Sequence, residues 1–522
     1  MTVILYAIDI VNSTIIKKII SKTFVVILFA FLLSPSFLKA QLNDSDPVLV
    51  KVGNLEISES EFIYRLNFSP KEGIQDKSGS EGIKKELLYT IIAEKLWANE
   101  AVEKGFENHA SVLTAKKSIE KMFVRDELYR REIKDKVNVN PGLISDGLNK
   151  YSKILEVGVF FSETADPVFD VYDKLNKENN LSNITRGIDT SKIIYKSVDI
   201  GFGDMPPFLE TILYNLETDG YSQPIEIENG WNLYYLKQIK LRNDLQDADD
   251  YKEVLKILKK RDENKYYETF YSDFFKDKKI DVDGKLFLQL CNNIKTVFDK
   301  KNTDRQKDKL FLDSYDVNEI LSLFKNKENE SAFIKFEIDP IDLESFIREI
   351  SFTAFSVSTS DIDTIKIYLN KKTKEYIKYE LLSREGYSLG LDKTLDVKKW
   401  VDIWYENFLF QYIKNNFDNP NTENPDPGFY SVMSSDSENI KNEKTNPLFK
   451  DYINQTIKLA DKYKYEINDE IYSQIEQGNI NLFVLRHLGF GGTISGVPSS
   501  PVFIEWYLEL QKRRNENPDN VL

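Results

Sequence analysis

The chain has 522 residues, of which 41% are hydrophobic and 30% are charged, and this balance is typical of a soluble protein that folds into roughly three or four domains. Its net charge of -14 argues against a general nucleic-acid binder, which would normally carry a basic surface. The single cysteine, Cys291, excludes an intramolecular disulfide framework.

The N-terminus has the layout of a secretory signal peptide. An uninterrupted apolar run over residues 23–33 follows three lysines and precedes small residues that end at Ala40. The run is shorter than the roughly 20 residues that a bilayer span needs. We therefore predict a signal peptide over residues 1–40 and a periplasmic mature protein. An uncleaved signal that anchors the chain in the inner membrane is the alternative.

Periodic patterns predict a helical module after the signal. Residues 48–57 have the pattern of a short hairpin, and Ser58 has an acidic residue three positions later, as at the start of a helix. Apolar residues recur at helical spacing over residues 81–104, and the glycine at Gly105 is typical of a helix end. A further long, charged helix is predicted over residues 112–137.

The next segment, residues 151–242, begins with a predicted apolar strand over residues 154–161. Its second half contains a helix that carries Phe208 and a Ser-x-Pro sequence that ends at Pro224. A Gly-Trp-Asn sequence that ends at Asn232 then leads into a last strand. The segment therefore has the pattern of a small mixed domain of helices and strands.

The order of these elements resembles the SurA and PrsA foldases, in which a helical chaperone module leads into a parvulin-type (PpiC-type) prolyl isomerase domain. The resemblance covers roughly residues 46–290. It implies a SurA-N-like helical module formed by residues 46–150 with residues 245–290. It also implies a parvulin-like domain over residues 151–242, with helices and a four-stranded antiparallel sheet. The predicted fold class is therefore α+β, with a mostly helical C-terminal half.

The same resemblance implies a peptide-binding pocket with a degenerate active site. Phe208, Ile212 and Leu216 match the apolar pocket floor of the family. Asn232 stands where the family has a histidine, and Gly158 stands where it has a second one. An asparagine cannot change protonation as an imidazole does, so we predict weak or absent isomerase activity. The alternative is that the three apolar residues only form the face of a helix packed on a sheet.

Other chemistry has little support in the sequence. The only histidines are His109 and His487, and both lie outside the parvulin-like segment. The glycine-rich run over residues 488–496 lacks the Gly-Lys-Ser/Thr of a phosphate-binding loop, so we interpret it as a turn. We therefore expect no metal, no nucleotide and no other cofactor.

The second half of the chain has weak sequence similarity to part of the first. Residues 57–66 parallel residues 341–350 at an offset of 284, and residues 100–106 parallel residues 385–391 at an offset of 285. The region over residues 295–416 is therefore a possible degenerate repeat of the helical module, with an unrelated helical domain as the alternative. The remaining predicted segments are a linker over residues 417–447 and a C-terminal helical unit over residues 448–522.

These patterns predict an exported, ATP-independent chaperone or foldase that binds unfolded envelope or secreted proteins. Its partners would be unfolded polypeptides rather than nucleic acids or nucleotides, and it would contact a membrane only through an uncleaved signal. Two alternatives stay open. One is an active peptidyl-prolyl cis-trans isomerase, and the other is a scaffold or accessory protein of a secretion system.

Overall fold

A computed structural model describes residues 2–4, 46–69, 80–242, 247–301, 309–325, 328–418, 447–476, 485–498 and 504–516. The chain divides into two compact units. The larger unit consists of Met1–Arg130 and Phe275–Leu522, and the smaller unit is Arg131–Phe274. The predicted signal peptide and the predicted linker lie almost entirely outside the described residues.

The helices, in chain order, are α1 (Glu59–Phe68), α2 (Ser80–Glu103), α3 (Ala110–Glu132), α4 (Pro141–Tyr151), α5 (Ala165–Glu178), α6 (Leu181–Arg186), α7 (Pro207–Tyr214), α8 (Asp247–Phe275), α9 (Gly284–Lys301), α10 (Ser314–Ser322), α11 (Leu343–Phe352), α12 (Ile362–Ser388), α13 (Leu395–Asp418), α14 (Phe449–Tyr463), α15 (Asp469–Gln474) and α16 (Glu505–Glu516). The strands are β1 (Thr2–Ile4), β2 (Val48–Val52), β3 (Leu55–Ser58), β4 (Lys153–Ser162), β5 (Ile194–Ile200), β6 (Ile225–Ile227), β7 (Gly230–Leu241), β8 (Lys279–Val282), β9 (Leu310–Phe311), β10 (Ala332–Lys335), β11 (Ile341–Asp342), β12 (Ser356–Val357), β13 (Tyr465–Ile467), β14 (Leu485–His487) and β15 (Thr493–Ser495).

The larger unit begins with the predicted hairpin, which β2 and β3 form. The Ser58 side chain then accepts a hydrogen bond from the Glu61 amide and so caps α1, because the first amides of a helix lack partners within it. Gly105 has a φ of 75° just after α2, a conformation that side chains with a Cβ rarely adopt. The predicted helix start and helix end are thus confirmed.

Helix α2 forms the centre of this part of the larger unit, and α13 and α14 pack on it. Strand β13 adds to the edge of the hairpin by pairing with β2. The sequence analysis assigned residues 245–290 to this module. In the structure α8 belongs to the smaller unit, and β8 pairs with β10 and β1. The elements that pack on α2 therefore come from much later in the chain.

A second core in the larger unit lies around β8 and β10. Helices α9, α10, α11 and α12 supply most of its buried apolar side chains. Cys291 is fully buried there, and burial raises the pKa of its thiol to about 12. The thiol is therefore a packing group, since reactive cysteines need a low pKa and access to solvent.

The smaller unit contains a four-stranded antiparallel sheet in the order β5-β4-β7-β6. Helices α5 and α6 cover one face, and α7 packs on the other. This is the sheet that the sequence analysis expected over residues 151–242. Every strand pair in the described part of the chain is antiparallel, and helices predominate, so the predicted α+β class is confirmed.

Residues 488–492 of the glycine-rich run form the turn between β14 and β15 in the larger unit, and residues 493–495 are β15 itself. The Gly489 amide donates to an Asp126 carboxylate oxygen at 2.7 Å, and Arg486 pairs with the same carboxylate at 2.8 Å. These contacts therefore hold the β14-β15 hairpin against α3.

Candidate functional site

The two faces of the four-stranded sheet in the smaller unit differ in how well they are covered. Side chains alternate between the faces along a strand. Leu233 and Tyr235 of β7 point into the core under α5, whereas Tyr234 and Leu236 point into the core under α7. Asn232 is two residues before Tyr234, so it lies on the α7 face.

Helix α7 covers only part of its face. Leu209 and Leu213 are the buried row of the helix, and they pack on Leu155 and Val157 of β4 and on Ile200 of β5. This row fixes the helix on the end of the sheet where β4 begins.

Beyond α7 the same face carries apolar side chains that stay open to solvent. Ile194 is 51% exposed and Val198 is 37% exposed, although both are β-branched residues of a strand. Their neighbours Val159 and Phe161 on β4 are half-buried. We call Val159, Phe161, Ile194 and Val198 the apolar strip.

The strip ends at an open strand edge. Strand β5 is the outermost strand of the sheet, and it pairs only with β4 among the described strands. Lys196 lies between Ile194 and Val198 on the same face and is exposed. An edge lysine of this kind hinders the pairing of folded copies with each other.

The sequence-predicted pocket residues take different places around α7. Phe208 is 57% exposed, and Ile212 lies one turn later on the same flank of the helix and is half-buried. Leu216 follows the helix and packs against the core. Asn232 is buried, and its amide donates to the Tyr234 hydroxyl at 2.9 Å. The assignment of these four residues to one pocket stays a prediction.

Gly158 lies on the opposite face from Asn232. It pairs with Tyr235 of β7 and with Ser197 of β5, both on the α5 side of the sheet. A Cβ at this position would come within 2.9 Å of the Tyr195 ring, which fills the space. The two positions that the sequence analysis matched to the histidine pair therefore cannot line one pocket. That pairing was wrong because a one-residue shift in register moves a side chain to the other face.

The sequence analysis did not identify the apolar strip, although β5 carries a signal for it. Ile194, Val198 and Ile200 alternate with polar residues, which is the pattern of a strand with one apolar face. The pattern alone could not show that α7 leaves Ile194 and Val198 open, because coverage depends on where the helix ends.

The smaller unit has little means to transfer protons near neutral pH. Its sequence contains neither histidine nor cysteine. Burial raises the pKa of the Tyr234 hydroxyl, and burial together with the hydrogen bond to Asp219 raises the pKa of Tyr235 to about 12. Hydrogen bonds from Lys237 and Lys240 lower the pKa of the half-buried Glu156 carboxylate to about 2. Tyr234, Tyr235 and Glu156 therefore each keep one protonation state near neutral pH.

Both histidines of the chain are in the larger unit and bond to neighbouring hydroxyls. His109 Nδ1 lies 2.8 Å from Ser111 Oγ, and His487 Nδ1 lies 2.9 Å from Thr493 Oγ1. Across the described ranges, no group of three or more His, Cys, Asp or Glu side chains could hold a metal ion. The helices described here also include none that is long and apolar enough to cross a membrane.

The larger unit has a cleft of its own, with a volume of about 1000 Å³. Lys121 lies in its wall and pairs with Glu349 at 2.7 Å and with Glu380 at 2.8 Å. Arg384 donates to the carbonyl oxygens of Ile338 and Asp339 at the turn between β10 and β11. The charges in the wall are therefore largely satisfied by one another.

Solved structures of PrsA are similar to part of the chain. The peptidylprolyl isomerase PrsA from Bacillus cereus is 14% identical, and the match covers 44% of this chain and 91% of that one, with a TM-score of 0.19. For the foldase protein PrsA from Streptococcus pneumoniae the identity is 13%, the coverages are 42% and 87%, and the TM-score is 0.18. The PrsA of Bacillus anthracis is 12% identical, with coverages of 37% and 99% and a TM-score of 0.19. No protein-family model matches the chain, and no curated protein matches it significantly.

Proposed function

We propose that the protein is an exported, ATP-independent chaperone that holds unfolded envelope or secreted polypeptides. In this proposal the smaller unit binds segments of the client and has little or no isomerase activity. The observation that carries the proposal is the apolar strip, in which Ile194 and Val198 are open to solvent on the same face of the sheet on which α7, the helix of the exposed Phe208, packs. The signal-like N-terminus supports export to the periplasm.

An unfolded client fits such a surface in two ways. Its apolar side chains can cover Ile194, Val198 and Phe208 and so remove their surface from water, at about 25 cal/mol for each Å² buried. Its backbone can also pair with the free edge of β5, because an extended peptide can add as a strand to a sheet edge. Neither contact needs a particular client sequence, which suits a chaperone with many clients.

Suppression of client aggregation tests the proposal. The purified protein is mixed with a reduced, unfolded client, and light scattering is followed without nucleotide. We expect the protein to delay aggregation and the Phe208→Ala variant to need at least about threefold more protein for the same delay, since a truncated anchor side chain typically costs more than about 1 kcal/mol of binding.

The matched control is Phe169→Ala. Phe169 is 44% exposed, but it lies on α5 and contacts Trp231, on the other side of the sheet. We expect this variant to behave as the wild type does. Equal losses in both variants, or no delay by the wild type, would contradict the proposal.

The same proteins distinguish the two alternatives. An active isomerase would accelerate cis-trans exchange of short Xaa-Pro peptides, and Phe208→Ala would abolish that activity. A scaffold of a secretion system would bind one folded partner and leave client aggregation unchanged.

A further inference from the structure

The larger unit contains the same sequence of elements twice. The first series is the β2-β3 hairpin, α1, α2, a short 3-10 turn (Phe106–Asn108) and α3. The second series is the β10-β11 hairpin, α11, the short strand β12, α12, a short 3-10 turn (Leu391–Lys393) and α13. The positions equivalent to β12 in the first series, residues 72–73, lie outside the described residues. Helices α1 and α11 both have 10 residues and start 284 positions apart, and the two 3-10 turns start 285 positions apart.

Local geometry repeats as well. Gly105 and Gly390 precede the 3-10 turns with φ angles of 75° and 70°. At the hairpins, Asn99 donates to the Val52 carbonyl and accepts from the Asn54 amide. Arg384, which is 285 positions after Asn99, likewise binds its own hairpin, at the two carbonyls of the turn.

A later pair of strands repeats in the same register. Strand β8 pairs with β10 so that Asp281 faces Lys335, and β13 pairs with β2 so that Glu466 faces Lys51. Lys335 follows Lys51 by 284 positions. A separate hydrogen bond repeats after each strand.

That hydrogen bond runs from the residue after the strand to the hairpin. The Asp283 amide donates to the Phe333 carbonyl at 2.9 Å, and the Asn468 amide donates to the Leu49 carbonyl at 2.8 Å. Phe333 follows Leu49 by 284 positions. Each of Asp283 and Asn468 then accepts from amides of the helix that follows it.

We propose that the larger unit consists of two copies of one module that have exchanged their C-terminal parts within a single chain. The first copy provides β2, β3, α1, α2, α3 and β8, and the second provides β10, β11, α11, α12, α13 and β13. Each copy's third helix and final strand pack on the other copy. The inference goes beyond the proposed function and does not depend on it.

The third helices make close contacts with the opposite copy. A Cβ at Gly386 of α12 would lie 2.3 Å from Val124 of α3, so only glycine allows this approach. Arg125 of α3 donates to the Ser383 hydroxyl of α12 at 3.0 Å. In the other direction, Asn407 of α13 donates to Glu94 of α2 at 2.8 Å.

Equivalent positions of the two interfaces carry opposite charges. On one side Lys121 of α3 lies between Glu349 of α11 and Glu380 of α12. On the other side Glu406 of α13 pairs with Lys95 of α2. Glu406 follows Lys121, and Glu380 follows Lys95, by 285 positions each.

The same inversion occurs on the short helices. Arg65 of α1 is buried and pairs with Glu94 at 2.7 Å, and Glu349 of α11 follows Arg65 by 284 positions. The first copy therefore has basic residues on α1, α2 and α3 where the second has acidic residues on α11, α12 and α13.

The opposite charges at equivalent positions favour the exchanged arrangement over one in which each third helix packs on its own copy. If α3 packed on α2 of its own copy as α13 does, Lys121 would take the place of Glu406 and face Lys95. If α13 packed on α12, Glu406 would face Glu380 and Glu349. Like charges that meet in a buried interface cost several kcal/mol, so only the exchanged pairing is favourable.

Charge-reversal variants of the full chain test the inference by thermal unfolding. We expect Lys121→Glu to lower the unfolding midpoint by at least about 6 °C, because it brings three carboxylates together in a largely buried place. Adding Glu349→Lys should restore most of the loss, since it rebuilds an opposite-charge pair across the exchanged interface. Adding Glu406→Lys instead should lower the midpoint further.

The opposite pattern would overturn the inference. If the third helices packed on their own copies, Lys121→Glu would raise the midpoint because the new carboxylate would face Lys95, and Glu406→Lys would raise it further by facing Glu349 and Glu380. An unchanged midpoint in Lys121→Glu would also overturn it, because the charges would then have no part in the pairing.

A cross-linking experiment tests whether the exchange is within one chain. Lys462 of α14 lies 2.7 Å from Glu103 of α2, and both side chains are accessible. A zero-length carbodiimide cross-link between them is analysed by mass spectrometry in a mixture of ¹⁵N-labelled and unlabelled protein. We expect the two peptides of each cross-linked pair to be either both ¹⁵N-labelled or both unlabelled. Mixed peptides would show exchange between two chains and contradict the single-chain arrangement.

Discussion

At the scale of single residues, the backbone at Gly230 explains in physical terms why a glycine stands at the start of β7. Gly230 has a φ of 148°, and a Cβ there would lie 2.3 Å from the Ser162 carbonyl oxygen. The close approach lets β7 start beside the end of β4, which sets the register that places Asn232 on the α7 face. A side chain at this position would push the two strands apart.

We expect Gly230→Ala to lower the free energy of unfolding by about 2 kcal/mol or more, through backbone strain and the clash with β4. Denaturation in urea measures the loss. Gly187→Ala is the matched control, because Gly187 lies in the same unit at the end of α6 and a Cβ there meets nothing closer than 3.5 Å. An equal effect of the two substitutions would contradict this account of Gly230.

The sequence predicted part of the candidate site at this scale. The motif correctly located the helix that carries Phe208 and the strand that carries Asn232. It did not identify Leu209 and Leu213 as the buried row of α7, because helical periodicity in eight residues does not determine which of two adjacent rows faces the sheet. The mistaken match of Gly158 has a similar origin, since strand alternation gives two faces but not their assignment.

At the scale of helices and strands, local signals were reliable and long-range pairings were not. The cap at Ser58 and the glycine at Gly105 marked helix ends because capping is a local interaction. The pairing of β13 with β2 joins strands of three and five residues that are more than 400 positions apart. No periodic pattern specifies such a partner.

Ion pairs hold the later elements on α2, and one of them predicts a pH dependence. Burial alone would raise the pKa of Glu100, but hydrogen bonds from Lys462 and Tyr463 of α14 outweigh it and hold that pKa below its ordinary value. A carboxylate with a lowered pKa stabilises the fold above its ordinary pKa of 4.5, and the contribution is lost as the pH falls below that value.

We therefore expect Lys462→Gln to unfold at a lower temperature than the wild type at pH 7, and the difference to vanish towards pH 3. Differential scanning calorimetry at several pH values measures both midpoints. Lys458→Gln, on the same helix, is the control and should show no such pH-dependent difference. A difference that grows as the pH falls would contradict the assigned sign.

At the scale of the whole molecule, the proposed arrangement combines two copies of a helical module in the larger unit with one smaller unit that contains the four-stranded sheet. In the first copy, the smaller unit lies in the chain between α3 and β8. In the second copy, residues 419–464 lie between the equivalent elements α13 and β13. If the exchange took place between two identical chains, the assembly would contain two copies of the smaller unit. Under the proposed exchange, a single chain carries one.

Photo-cross-linking to an unfolded client tests the binding proposal most directly. A photoreactive amino acid replaces Val198 in the apolar strip in one variant and Phe169 on α5 in another. Each variant is irradiated in two separate samples, one with a reduced, unfolded client and one with the same client in its folded state. We expect cross-links from position 198 to the unfolded client only, and few from position 169. Equal yields at the two positions, or equal yields with the folded client, would contradict a client-binding role for the strip.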